Sequence, residues 1–114
     1  MADKYLLIES RDPFDAADIP YFYKLAKDLA AEGNDVVMYL VQNGVLALRR
    51  AARPSAIFEW IGERPKGPVK ILADDFSLRE RGIQKEELIS GVQVSNVDAL
   101  VDFLVEEKRK SIWH

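Results

Sequence analysis

The sequence predicts an α/β protein, a three-layer α/β/α sandwich around a mostly parallel sheet of about five strands. Residues 4–9, 35–42 and 69–72 are short, almost continuously apolar runs, which is typical of strands that helices cover on both faces. Residues 19–30 and 97–105 repeat apolar side chains at spacings of three and four, the period of a helix with one buried face. This alternation of strands and helices predicts parallel pairing, because parallel neighbours need a helical crossover.

Local signals begin and end the elements of the first half of the chain. Asp15 or Asp18 can cap the first helix, and Gly33 can end it because glycine readily adopts the left-handed conformation. The apolar run after the second strand predicts a helix at residues 45–50. Two further predictions follow, a helical turn at residues 56–61 and a loop at residues 62–68.

The second half of the chain is predicted in the same way. Asp74 or Asp75 caps the helix that follows the third strand, and Gly82 ends it. Ser95 or Asn96 caps the last helix. The other predicted features are a short helical turn at residues 85–88, a strand at residues 92–94, frayed charged residues at 106–110 and a brief final strand at residues 111–113.

Composition limits the possible functions. The 114 residues are 48% hydrophobic and 31% charged, which excludes a disordered chain and suits one domain over residues 1–114. A net charge of −3 means that direct contact with nucleic acid is not expected. The absence of cysteine excludes disulfides, zinc–thiolate sites and thiol chemistry. The N-terminus resembles neither a secretory signal nor a membrane span, so a cytoplasmic protein without a membrane partner is expected, and no cofactor is predicted.

Polar residues follow each of the first three predicted strands. Because the carboxyl ends of parallel strands meet at one edge, where open α/β sheets bind ligands, we expect these residues to line a crevice. The candidate crevice residues are Asp12, Asn43, Gly44, Asp74 and Asp75.

Two interpretations of the paired carboxylates stay open. Asp74 and Asp75 can simply cap a helix, which is a common use of aspartate. Together with Asp12 they can instead line a polar ligand pocket, and their oxygens are of the kind that Mg²⁺ prefers, although no diagnostic spacing assigns a metal site. A nucleotide phosphate is disfavoured, because these carboxylates already place negative charge at the helix N-terminus and no glycine lets a phosphate approach.

Basic residues concentrate in one stretch, and Arg49, Arg50 and Arg53 form a candidate docking surface. Guanidinium groups suit phosphate or carboxylate recognition, so a partner protein or an RNA contact is one interpretation. The other is a solvated helix face that keeps the protein soluble.

A hydrolytic triad is not predicted, since His114 is the only histidine and is expected to be a frayed tail residue.

Three stretches in this order resemble the DsrE/DsrF/DsrH family of sulfur-relay proteins, which includes the TusB, TusC and TusD subunits. They are LLIESRDPF at residues 6–14, LVQNGVLAL at residues 40–48 and ILADDFSLRERGI at residues 71–83. The last two and the terminal residues 111–113 are most similar to the DsrH/TusB branch. Sulfur-carrying relatives place a persulfide cysteine near the third strand-to-helix corner, where residues 73–76 here read Ala-Asp-Asp-Phe.

The resemblance implies the fold and a habit of forming homo- or hetero-oligomers, but not the carrier activity, which needs a thiolate. The leading hypothesis is a non-catalytic structural or docking subunit of a sulfur-transfer assembly, as in sulfur oxidation or tRNA thiolation. Its expected partners are further copies of itself, cysteine-bearing DsrE-like subunits, or both. The alternative is a stand-alone protein or enzyme that binds a small polar ligand or a metal in the acidic crevice.

Overall fold

The computed structural model describes residues 2–50 and 69–114. Within these ranges the strands are β1 (Lys4–Glu9), β2 (Asp35–Leu40), β3 (Val69–Asp74), β4 (Val92–Ser95) and β5 (Arg109–Trp113). The helices are α1 (Ile19–Ala31), α2 (Asp75–Glu80) and α3 (Val97–Val105), with 3₁₀ helices at Gln42–Leu48 and Lys85–Glu87. The predicted helical turn at residues 56–61 and the predicted loop at residues 62–68 lie outside the described residues.

The strands form one sheet in the order β4-β3-β2-β1-β5, and every neighbouring pair is parallel. Leu7 of β1 lies opposite Met38 of β2, which lies opposite Ile71 of β3, so the central strands are aligned. The predicted fold class is therefore confirmed. Because all strands run in the same direction, the loops that follow them open at one edge of the sheet, where ligand sites of such folds lie.

Each face of the sheet has its own apolar core. Leu7 and Met38 belong to the first core, into which α1 packs its buried face. Leu6 belongs to the second, where Leu100 and Phe103 of α3 pack. Successive residues of a strand point to opposite faces, so a strand that is covered on both sides must be apolar throughout. This explains the near-continuous apolar runs.

Hydrogen bonds confirm three of the predicted helix boundaries. Gly33 has a φ of +90°, and the N–H groups of Gly33 and Asn34 donate to carbonyl oxygens of the last turn of α1. Gly82, with a φ of +65°, ends α2 in the same way. Asn96 caps α3, since its Oδ1 accepts a hydrogen bond from the N–H of Ala99 at 3.0 Å.

The predicted helix at residues 45–50 is wrong. A 3₁₀ helix at Gln42–Leu48 takes its place, and only Val41 separates it from β2. Gln42 has a φ of 51° and turns the chain sharply. Arg49 then forms an antiparallel bridge with Leu88, which requires extended backbone at the position where the helix was expected to continue. Tertiary pairing therefore overrides the local helical preference.

The end of the chain is ordered, so the predictions that residues 106–110 fray and that His114 is a frayed tail residue are wrong. β5 begins at Arg109 and pairs with β1. The Arg109 guanidinium, on a side chain that is 4% exposed, donates hydrogen bonds to the Tyr5 carbonyl oxygen at 2.8 Å and to Asp35 Oδ2 at 3.0 Å. These partners are far away in sequence, and no local pattern signals them.

The predicted side-chain cap of α1 is also wrong. Asp18 occupies the N-cap position, but no side-chain hydrogen bond caps this helix. Instead, Asp18 Oδ2 lies 2.9 Å from His114 Nε2. The Asp18 carboxylate therefore contacts the His114 ring and not the N-terminus of α1.

We predict that Gly44→Ala lowers the free energy of unfolding by about 3 kcal/mol. A Cβ at Gly44 would lie 2.3 Å from the Glu9 carbonyl oxygen, so backbone, not a flexible side chain, must move. Gly33→Ala is the control, because a Cβ there meets nothing within 4 Å and only its positive φ opposes the change, at a cost of about 1 kcal/mol. Denaturant unfolding measures both values. Equal losses in the two variants would contradict a steric role of Gly44.

Candidate functional site

The corner between β3 and α2 is closed by its own hydrogen bonds. Asp74 is the N-cap of α2, as one of the two sequence interpretations predicts, and its Oδ2 accepts hydrogen bonds from the N–H and the Oγ of Ser77 at 2.9 and 2.7 Å. Asp75 Oδ1 accepts a hydrogen bond from the N–H of Phe76 at 2.7 Å, and its Oδ2 lies 3.4 Å from Arg79 Nη1. Both carboxylates therefore bind groups of their own helix.

Ser77 also joins this corner to the one that follows β2. Its Oγ accepts a hydrogen bond from the N–H of Gln42 at 2.7 Å. Arg81 completes the connection, because its Nε donates to Asn43 Oδ1 at 3.0 Å and its Nη1 donates to the Ser77 carbonyl oxygen at 3.1 Å. Ser77 and Arg81 were not among the predicted site residues. The one local signal for Ser77 is its position three residues after a capping aspartate.

A cavity of about 960 Å³ lies at this edge of the sheet. It brings together Asn43, Asp74 and Asp75, which were predicted crevice residues. The other two predicted residues do not line it. Asp12 Oδ1 accepts a hydrogen bond from the N–H of Phe14 at 2.8 Å within its own loop, and Gly44 is buried against the end of β1.

Apolar side chains that the sequence did not single out form much of the cavity wall. Phe76, Val97 and Trp113 line the cavity, and each is more than half exposed. They come from α2, α3 and β5. Only the fold brings them together, since Trp113 reaches this edge because β5 pairs with β1.

Tyr39 lies near the carboxyl end of β2, fully buried between the sheet and α3. Its hydroxyl donates a hydrogen bond to the Asn96 carbonyl oxygen at 2.8 Å. Burial raises the pKa of Tyr39 to about 12, and the nearby carboxylates of Asp74 and Asp75 act in the same direction. The phenol therefore stays protonated at physiological pH and fixes the start of α3 without acting as a base.

The described residues offer no metal centre. No group of three or more His, Asp or Glu side chains within residues 2–50 and 69–114 is placed to hold a metal ion. The carboxylates of Asp74 and Asp75 are already hydrogen-bonded within α2, and Asp12 is bonded within its own loop. This arrangement gives no support to the magnesium interpretation of the acidic residues.

The two described arginines of the candidate docking surface, Arg49 and Arg50, donate hydrogen bonds to backbone carbonyl oxygens. Arg50 donates from its guanidinium to the Glu86 carbonyl oxygen, and from its backbone N–H to the Glu87 carbonyl oxygen at 2.8 Å. Arg49 Nε donates to a carbonyl oxygen of its own 3₁₀ helix at 3.2 Å. Arg53 lies outside the described residues.

Among the helices that the structure describes, none is long and apolar enough to cross a membrane.

Comparisons with known proteins agree with this architecture. The ychN protein from E. coli superimposes with a TM-score of 0.77 at 18% identity, over 96% of this chain and 99% of that one. MTH1491, a protein of unknown function from Methanobacterium thermoautotrophicum, gives a TM-score of 0.72 at 25% identity, over 98% of this chain and all of that one. No functionally curated protein matches the sequence. The sequence model of the DsrE/DsrF-like family matches residues 3–110, and the chain therefore belongs to the DsrE/DsrF-like family.

Proposed function

We propose that this protein is a non-catalytic subunit of a sulfur-transfer assembly, in which it docks against copies of itself or against cysteine-bearing relatives. The observation that carries the proposal is a sulfur-relay fold without a thiol. A persulfide needs a cysteine thiolate, and the chain has no cysteine. At the corner where the resemblance places that cysteine in sulfur-carrying relatives, Asp74 and Ser77 are hydrogen-bonded to each other. The resemblance to the DsrH/TusB branch supports an accessory role.

The docking surface in this proposal is the outer side of α3. No residue of α3 is buried, although the helix covers the second core of the sheet. Four apolar side chains are exposed on it at spacings of three and four, and we call them the α3 stripe. They are Val97, Val101, Leu104 and Val105, which are 60%, 48%, 42% and 74% exposed.

An apolar stripe of this kind favours an interface over a free surface. Exposed apolar patches on soluble proteins mark interaction sites more often than single exposed side chains do. Val97 also lines the cavity, so the α3 stripe continues into the cavity wall that Phe76 and Trp113 form. A partner on this surface would cover the second core and the mouth of the cavity together. That placement suits a subunit that holds a sulfur carrier beside this edge of the sheet.

We predict that Val101→Lys dissociates the assembly. A lysine in the middle of the α3 stripe must either stay solvated or be buried without a partner charge, and both weaken an apolar interface. Leu25→Lys is the matched control, because Leu25 is also a partly exposed apolar residue but lies on α1, on the other face of the sheet. Native mass spectrometry of the purified proteins and of complexes isolated from the native cells reports the state of assembly.

Two results would contradict the docking role. One is a wild-type protein that stays monomeric and isolates without a cysteine-bearing relative. The other is a Val101→Lys variant that assembles as the wild type does. Dissociation by Leu25→Lys as well would instead place the interface elsewhere on the molecule.

We also predict that the chain itself accepts no sulfur. After incubation with a persulfide donor, its intact mass should stay unchanged, whereas a cysteine-bearing partner isolated with it should gain sulfur. Because the proposed role is docking, Val101→Lys should slow sulfur transfer to that partner, and Leu25→Lys should not. A stable sulfur adduct on this chain would exclude the non-catalytic role.

The cavity favours one alternative from another class, a stand-alone ligand-binding protein. Its volume of about 960 Å³ lies within the range of small-molecule pockets, roughly 300–1,000 Å³. Its polar groups include Asn43 and Arg81, and Phe76 and Trp113 supply apolar surface. A ligand that fits this cavity would therefore combine a polar end with an apolar body.

Thermal shift tests this alternative. A ligand that binds only the folded protein raises the melting temperature, so a panel of metabolites and divalent cations is measured against wild type and Trp113→Ala. A stabilising compound whose effect is lost in Trp113→Ala, and retained in Leu25→Lys, would support a ligand site in the cavity. No stabilisation across the panel would count against it.

A further inference from the structure

His114 lies between two carboxylates from separate parts of the fold. Its Nδ1 lies 2.8 and 2.9 Å from the two carboxylate oxygens of Glu9, at the end of β1. Its Nε2 lies 2.9 Å from Asp18 Oδ2, at the start of α1. The imidazole ring also stacks on Phe22, with 4.9 Å between ring centroids. The His114 side chain is 16% exposed and that of Glu9 is fully buried.

Both ring nitrogens of His114 lie within hydrogen-bond distance of a carboxylate oxygen. For both contacts to be hydrogen bonds, the cluster must hold one proton more than a neutral imidazole and two ionised carboxylates have. A carboxylate only accepts hydrogen bonds, and a neutral imidazole carries a single N–H. With both Glu9 and Asp18 ionised, both ring nitrogens of His114 must therefore be protonated for both contacts to be hydrogen bonds. The only other way to keep both bonds is a proton on a carboxyl group. When the extra proton leaves, lone pairs face each other at one of the two contacts, and that contact opens.

Other groups around the ring add little competing charge. The backbone N–H of Arg11 donates to Glu9 Oε2 at 3.1 Å, and the positive charge of Arg11 helps to lower the pKa of Asp18. The hydroxyl of Tyr23, on α1, is buried and has no hydrogen-bond partner within the described residues. Burial raises the pKa of Tyr23, so it stays neutral. Tyr23 therefore adds no charge to the cluster, whose titratable groups in contact with the ring are Glu9 and Asp18.

The cluster is connected to the cavity through the neighbouring residue in β5. The Trp113 indole Nε1 donates a hydrogen bond to Ser10 Oγ at 3.1 Å. Ser10 Oγ and the Ser10 N–H both donate to the His114 carbonyl oxygen at 2.9 Å, and the His114 N–H donates to the Ile8 carbonyl oxygen at 2.8 Å. The ring of His114 and the indole of Trp113 are thus bound to the same end of β1. Trp113 lines the cavity.

We propose that His114, Glu9 and Asp18 form a proton-operated latch that holds the end of β5 and thereby positions Trp113 in the cavity wall. In the protonated latch, the ring ties β5 to the end of β1 and to the first turn of α1. Loss of the proton opens one of the ring contacts and frees Trp113 to move at the mouth of the cavity. The latch does not depend on the proposed docking role, because its residues and the tryptophan belong to one chain.

The direction of the pH effect follows from the pKa values of the three groups. Burial lowers the pKa of His114, but the hydrogen bonds that its ring donates to Asp18 and Glu9 outweigh this effect and raise the pKa above 6.5. Burial raises the pKa of Glu9 above 4.5. A group whose pKa is raised on folding stabilises the fold at low pH, and this contribution is lost as pH rises through the folded-state pKa. The pKa of Asp18 is lowered from 3.8 by the ring, so its contribution is lost only in acid. The latch is therefore closed in mildly acidic solution and opens as pH rises above 6.5 through the raised pKa of His114.

The test is an NMR titration of the full chain. His114 is the only histidine, so the single imidazole in ¹⁵N spectra reports the latch without ambiguity. The indole N–H signal of Trp113 is identified by its loss in Trp113→Phe. We expect the imidazole to titrate with a midpoint above 6.5 and the Trp113 signal to shift with the same midpoint. A midpoint at or below 6.5, or a Trp113 signal that does not follow the imidazole, would overturn the latch.

Variants separate the latch from general effects of pH. Asp18→Asn removes an exposed carboxylate and should lower the imidazole midpoint toward 6.5 without unfolding the protein. Asp15→Asn, an exposed carboxylate of the same loop, is the control and should leave the midpoint unchanged. His114→Gln should abolish the titration of the Trp113 signal. A Trp113 titration that persists in His114→Gln, or equal midpoints in Asp18→Asn and wild type, would contradict the proposal.

Discussion

The backbone of Gly44 approaches the end of β1 so closely that a Cβ at this position would lie 2.3 Å from the Glu9 carbonyl oxygen. This contact places the turn after β2 directly against β1, and the N–H of Val41 donates to the same carbonyl oxygen at 3.0 Å. The carboxylate of Glu9 meanwhile accepts a hydrogen bond from the Arg11 N–H and contacts the His114 ring. Glu9, the last residue of β1, therefore positions two parts of the chain. Its main chain holds the turn after β2, and its side chain holds His114.

The corner between β3 and α2 serves as a structural junction in this chain. The Ser77 hydroxyl donates a hydrogen bond to the Asp74 carboxylate, and its oxygen accepts a hydrogen bond from the Gln42 N–H. Gln42 has a positive φ, a conformation that costs about 1 kcal/mol or more in a residue other than glycine, and this bond helps to hold it there. These hydrogen bonds join the turn after β2 to the first turn of α2.

The two faces of the sheet are covered unequally by the described helices. On the first face α1 buries five of its residues, whereas on the second face α3 buries none. Phe103 and Leu100 still pack on the second core, so α3 covers the sheet while it leaves the α3 stripe in contact with solvent. A surface of this kind is stabilised when a partner removes it from water, at roughly 25 cal/mol for each Å² of apolar area.

The sequence by itself determined the fold class, most strand positions and several helix ends, because apolar periodicity and capping residues act over a few neighbouring positions. It also placed Asn43, Asp74 and Asp75 at the cavity, since parallel strands end at one edge. Only the tertiary structure decided the 3₁₀ turn after β2, the ordered end of the chain and the contribution of Trp113 to the cavity wall. These features depend on contacts such as Glu9 with His114, which are 105 residues apart, and no local pattern of residues encodes a contact across that distance.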